Sequence, residues 1–192
     1  RNVEVRAIEY QSMDEEFNET KTDYRGNVMY SSMIVKLCAN MERSNLIVSV
    51  VQDLLKENSH QQIMILAHNK SILKYLHDEI VRLKVATVGY YLGGMKETAL
   101  KTTENQQIVI ATYAMAAEAL DIKTLSTLIM ATPKTDIQQS IGRILRDKHS
   151  QPIVVDIVDT HTVFKNQWNK RRQFYKKENY KICYASHSKY NA

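Results

Sequence analysis

The chain has 192 residues, within the roughly 100 to 200 residues of one domain, which excludes a second full domain. Its 44% apolar and 24% charged residues exclude long disorder, no apolar run nears the roughly 20 residues of a spanning helix, and two cysteines are too few for a disulfide framework. The net charge of +5 is uneven: residues 165–189 hold eight Lys or Arg against Glu178, the remainder 18 basic against 20 acidic residues, which points to a polyanion contact near the C-terminal end.

Alternation predicts a strand over 3–8, and the polar, acidic stretch 11–26 an irregular connection. Helical spacing follows over 28–37 and 46–55. Residues 63–66 predict the clearest strand, and 70–84 an amphipathic helix with Ile72, Leu73, Leu76, Ile80 and Leu83 on one face. Strands over 85–91, 108–111, 125–131 and 152–158 alternate with a turn at Gly93 and Gly94, a short helix over 95–100, and a helix capped by Asp136 that carries Ile137, Ile141, Ile144 and Leu145. A basic amphipathic helix over 164–180 closes the series. Short apolar runs alternating with amphipathic stretches predict an α/β domain with a mainly parallel sheet. Three stretches differ in character: an N-terminal strand and helices over 1–62, a core over 63–160, and a basic helix and tail over 161–192. The chain opens on Arg1 without a signal-peptide pattern, and reads as a piece of a longer protein from a reducing compartment, with no membrane partner.

Cys38 and Cys183 stand at no metal-ligand spacing, and the six histidines form no HExxH pattern, so no metal site is expected. The most informative segment is QQSIGRILR at 138–146. Arg143 and Arg146, three apart on an otherwise apolar helix, project from nearly the same face. Such a fork suits phosphate oxygens because guanidinium is planar, bidentate and always charged, and Gly142 leaves room for close approach.

With ATYAMAAEALDI at 111–122, IMILAHNKSILKYL at 63–76 and YYLGGM at 90–95, this segment resembles motifs IV to VI of the superfamily 2 helicases. The likeness is to the DExx-type helicases of phages and large DNA viruses, and covers about half the chain, 63–159. It implies a RecA-like three-layer domain with helices on both faces of the sheet, forming the C-terminal lobe of an ATP-dependent helicase or translocase. The sequence departs from the family where motif V has glycine and this chain Ala119, and where motif VI often has arginine and this chain Ser140. No glycine opens a P-loop; the DE pairs at Asp14 and Asp78 lie off any strand end.

The resemblance therefore implies a split ATP site, in which an N-terminal RecA-like lobe of the same protein holds ATP and Mg2+ while this fragment alone binds neither tightly. Arg143 and Arg146 would act as arginine fingers, worth roughly three to five orders of magnitude in rate, with Gln139 near the γ-phosphate or water, and Asp121 and Gly142 beside the nucleotide. At the strand ends, His68, Asn69, Gly93, Gly94, Lys96, Thr112 and Tyr113 offer amides, hydroxyls and a cation to a nucleic-acid backbone. Lys170, Arg171 and Arg172 add the basic helix. DNA is expected over RNA, and the host-cell cytoplasm or virion is the expected place for a viral protein. The alternatives are a non-catalytic nucleic-acid-binding module and a doubly wound small-molecule enzyme, which the absence of a Gly-rich first turn disfavours.

Overall fold

The computed structural model describes residues 3–116, 122–145 and 151–190, and leaves out the side chains of Gln139, Ser140, Arg143 and Tyr190. In chain order the elements are β1 (Glu4–Tyr10), α1 (Glu15–Asn18), α2 (Tyr30–Ala39), α3 (Met41–Glu57), β2 (Gln62–Ala67), α4 (Lys70–Arg82), β3 (Val88–Tyr91) and α5 (Glu97–Glu104). They continue with β4 (Ile108–Thr112), α6 (Tyr113–Ala116), β5 (Leu125–Met130), α7 (Gln138–Ile144), β6 (Ile153–Asp159), α8 (Thr162–Lys177) and β7 (Lys181–Ser186).

The strands form one sheet in the order β3-β4-β2-β5-β6-β1-β7, with every pairing parallel. Parallel strands need helical crossovers that cover both faces, so the central strands read as unbroken apolar runs. β2, β5 and β6 are buried along their whole length. Ile34, Leu37, Ile47, Val51, Leu73 and Leu76 from α2, α3 and α4 pack on one face. Leu100, Ile141, Ile144, Trp168 and Tyr175 from α5, α7 and α8 pack on the other. The expected three-layer α/β architecture is therefore present.

The details differ from expectation in four places. The 11–26 stretch holds the short helix α1 and part of a hairpin closed by an antiparallel bridge between Thr22 and Val28. The helix predicted over 95–100 lies at Glu97–Glu104. Asp136 does not cap α7: the residue before the helix is Ile137, with no side-chain cap, and Asp136 is exposed. The tail after α8 becomes β7, an edge strand that pairs with β1. Asn179, at φ 60°, makes the left-handed turn that ends α8, and the Tyr180 N–H then bonds back to the Tyr175 carbonyl at 2.9 Å. One sheet thus runs through the 1–62, 63–160 and 161–192 stretches.

Candidate functional site

Because all seven strands point the same way, their C-terminal ends share one edge. There the chain leaves β2 for α4, which packs on one face, and leaves β5 for α7, which packs on the other. The crevice where such neighbouring connections diverge is where open parallel sheets hold ligands.

His68 and Thr132 meet across that crevice. The Thr132 hydroxyl accepts the His68 backbone N–H at 3.0 Å and lies 2.9 Å from Nδ1 of its ring. The Thr132 hydroxyl, with one donor and two acceptor sites, thereby holds both the backbone and the ring of His68. Burial, and then the Lys134 ammonium, pull the His68 pKa below its ordinary value, which keeps the ring neutral at pH 7. Tyr113 lies against it, with ring centroids 4.7 Å apart, and its hydroxyl donates to the Thr132 carbonyl at 2.6 Å. Lys134 Nζ stands 5.4 Å from the Tyr113 centroid, and burial pushes the phenol far above its ordinary pKa.

The turn that carries Thr132 and Lys134 leads directly into α7, and two buried guanidiniums hold it. Arg43, from α3, is wholly buried; it bonds both oxygens of Asp159 at 2.8 and 2.9 Å and donates to the Ala131 carbonyl at 2.7 Å. Arg171, from α8 and 1% exposed, bonds both oxygens of Asp156 at 2.8 Å and donates to the Lys134 carbonyl at 3.1 Å. The Tyr175 hydroxyl adds a third bond to Asp156 at 2.7 Å. α7 itself packs through Ile137, Ile141, Ile144 and Leu145, so at helical spacing positions 139, 142 and 143 fall on the opposite side. Gly142 is exposed there, and a Cβ added to it would meet nothing within 4 Å.

No protein-family model matches the chain. It is 37% identical over 157 residues to "Putative ATP-dependent RNA helicase L396" of Acanthamoeba polyphaga mimivirus, a match that covers 79% of this chain and 30% of that protein. It is 36% identical over 113 residues to "Putative ATP-dependent RNA helicase QP509L" of African swine fever virus, covering 56% of this chain and 22% of that protein. Among solved structures, T4 UvsW superposes with a TM-score of 0.70 at 20% identity, covering 96% of this chain and 42% of the other. The structure of Saccharomyces cerevisiae Dbp5 bound to RNA and ADP BeF3 gives 0.60 at 12% identity, covering 99% and 43%. The chain has the fold of C-terminal RecA-like helicase lobes and is similar in sequence to the two viral proteins. It spans less than a third of the length of the two viral relatives.

Within the lobe, the residues expected at the site fall into three groups. Gln139, Gly142 and Arg143 share α7, while Asp121 and Arg146 lie outside the described residues. His68, Asn69, Gly93, Gly94, Thr112 and Tyr113 lie at or just beyond the C-terminal ends of β2, β3 and β4, with His68 against Tyr113. Gly94, at φ 82°, turns the chain from β3 toward Lys96 in a conformation that side chains disfavour. Asn69 precedes α4 without a side-chain cap bond, and Lys96 is exposed. Tyr113 is turned inward, its hydroxyl spent on Thr132 and its ring shared between His68 and Lys134, so it presents no hydroxyl to a phosphate.

The basic helix divides. Arg171 is corrected from a nucleic-acid contact to a buried ion pair with Asp156. Lys170 is exposed and Arg172 half-buried; the Arg172 Nε is buried without a partner. Trp168 packs in the core beside Tyr175, with ring centroids 6.1 Å apart. Arg43, Thr132, Lys134, Asp156 and Asp159 were not expected at the site. A signal for the aspartates existed in VVDIVD, since a carboxylate inside an otherwise apolar buried strand requires a cation.

Proposed function

We propose that this lobe is one half of a nucleic-acid-dependent ATPase that moves along or unwinds strands, with Arg143 of α7 and the nearby Arg146 acting on a nucleotide bound between two lobes. The observation that carries the reading is the outward side of α7: Gly142 faces open space on a helix whose approach turn is fixed by Arg43 and Arg171. What the described residues offer ATP is this arginine end of a site. They supply no glycine cradle and no cluster of three or more metal-ligating side chains, so the phosphate loop and the magnesium carboxylate belong to the second lobe. When bound, ATP with Mg2+ supplies the phosphoryl group whose transfer to water drives the cycle.

In this reading the two arginines stabilise charge as it develops on the transferred group, which requires a rigid helix more than a strong ground-state contact. Gln139 orients the attacking water or the γ-phosphate, and Asp121 holds the ribose or an arginine. The nucleic-acid backbone crosses the strand-end edge at His68, Asn69, Gly93, Gly94, Lys96 and Thr112, with Lys170 and Arg172 as further contacts. The names of the viral relatives carry RNA, so the DNA preference read from sequence has no support there, and the polymer is proposed only as single-stranded nucleic acid. The rival reading, a non-catalytic binding module, offers no role for the outward side of α7.

The test is Arg143→Ala in the full-length protein. Nucleic-acid-stimulated turnover should fall by roughly two to four orders of magnitude while nucleotide and nucleic-acid affinities change far less. The lobe alone should hydrolyse ATP at background rate. Near-normal turnover by the variant would return Arg143 to an ordinary surface role, and competition between RNA and DNA oligonucleotides would identify the polymer.

A further inference from the structure

Between β1 and α2 the chain throws out a hairpin that the site described above does not use. Its base is held at the strand-end edge. The Tyr30 hydroxyl faces the Pro133 carbonyl at 3.5 Å and accepts from Gln167 Nε2 at 3.0 Å. Upstream, the Phe17 carbonyl lies 2.6 Å from Nε2 of the buried His161, between α1 and the start of α8. The arms are joined by the Thr22–Val28 bridge and by the Met29 N–H on the Lys21 carbonyl at 2.9 Å.

The tip is internally fixed. Asp23 Oδ1 accepts the Arg25 and Asn27 backbone N–H groups at 2.9 and 3.0 Å, the Asp23 N–H reaches the Asn27 carbonyl at 2.8 Å, and Gly26 takes the left-handed φ of 84°. Such an arrangement turns the one carboxylate of the tip inward and leaves its aromatic and its cation outside. Tyr24 is 90% exposed. Arg25 donates from Nε to the Tyr24 hydroxyl at 3.0 Å, with its guanidinium 5.3 Å from the ring centroid. Among the described residues no carboxylate pairs with Arg25.

A large ring left in water and a guanidinium held beside it are costly to keep exposed and pre-ordered without a partner. An aromatic anchor for a protein partner sits in a patch of further apolar contacts, whereas the residues flanking Tyr24 in the tip, Asp23, Arg25, Gly26 and Asn27, offer none, and the exposed Val28 and Met29 stand on the returning arm. A base offers a flat face to the ring, and the adjoining phosphate offers a charge to the guanidinium. We infer that the Tyr24–Arg25 tip is a stacking platform for one base of a single strand held at the strand-end edge, a role that rests on the nucleic-acid reading proposed above.

The test uses the full-length protein with an oligonucleotide that carries 4-thiouridine, irradiated and mapped by mass spectrometry. The crosslink should fall on the tip. Tyr24→Ala should weaken single-strand binding about 5- to 150-fold, the range for losing one stacked base. Tyr24→Trp should retain binding. Because Tyr24 is almost wholly exposed, both variants should melt with the wild type. If the wild type binds and hydrolyses ATP in response to nucleic acid but Tyr24→Ala binds equally well, the tip is not a platform while the helicase reading stands. If the wild type binds no nucleic acid, both fall together. Loss of a protein partner by Tyr24→Ala, with nucleic-acid binding unchanged, would also overturn the inference.

Discussion

Arg43 and Arg171 grip two aspartates of β6 from opposite faces of the sheet, each with two parallel bonds, and each reaches on to a carbonyl of the same turn. Asp156 and Asp159 are three residues apart, so strand alternation sends them to opposite sides. α3 and α8, far apart in sequence, are thereby both fastened to the segment that launches α7.

Removing one partner of either pair leaves an uncompensated buried charge. Arg171→Leu or Asp159→Asn should lower stability by about 3–5 kcal/mol in denaturant unfolding. The apolar exchange Arg43→Met with Asp159→Leu should recover most of that loss, because well-packed apolar pairs often equal buried ion pairs. A single variant that loses less than about 1 kcal/mol would show that the charge finds solvent.

That same double variant separates folding from positioning. If the guanidinium on the Ala131 carbonyl helps to set α7, the full-length double variant should keep its melting temperature yet lose kcat with little change in KM. Unchanged kcat at unchanged stability would mean that packing alone places the helix.

His68 gives a pH signature. Its proton is bound more weakly folded than unfolded, so its stabilising contribution is complete above about pH 6.5 and fades as pH falls through the lower folded value. Ring resonances followed by NMR should titrate below 6.5. Lys134→Gln should move the midpoint up part of the way, since burial is the larger cause and the Lys134 charge the smaller. A midpoint at or above 6.5 would show that burial and the Lys134 charge do not govern the ring.

Gly142 lies in a helix with open space where a side chain would be. Gly142→Ala should therefore stabilise the lobe by up to about 1 kcal/mol, while turnover of the full-length protein falls because another surface must approach that side. Equal turnover would remove the argument for close approach.

The basic run should not behave as one unit. α8 is 16 residues long, about 24 Å at 1.5 Å per residue, and carries its charge from the strand-end edge back to the opposite one. There Lys181 pairs in register with Glu4. Replacing Lys176, Lys177 and Lys181 by alanine should leave the salt dependence of nucleic-acid binding unchanged. Lys96→Ala should reduce the slope of log K against log salt by roughly 0.7 to 0.9. The reverse pattern would move the strand to the other edge.

The strands at β2, β4, β5 and β6 were legible because burial on both faces leaves unmistakable apolar runs, and α4 because its apolar stripe recurs at helical spacing. β7 was not legible: KICYAS is half-exposed at the sheet edge and follows a charge run that masks it. Arg171 was misread for a related reason. Sequence reports a cation at a position but not that Asp156, fifteen residues earlier, is folded beneath it. The arginine-bearing helix was recognisable from its pattern, while the residues that fix its approach, Arg43 and Thr132, come from distant segments joined only by the fold.

β1 lies between β6 and β7, so its partners for Glu4 are Ile153 and Lys181. On a ribosome β1 is therefore made before the other strands of this lobe yet is among the last of them to be paired, because its neighbours emerge about 150 and 180 residues later in the register just given. Closing such long loops is slow compared with joining β2, β4 and β5. The nascent lobe would assemble its centre first, with β1 and the apolar faces of α2 and α3 waiting. Amide exchange pulsed during refolding should accordingly protect β2 and β4 before β1, and a chain stalled before β6 should be the form most prone to aggregate.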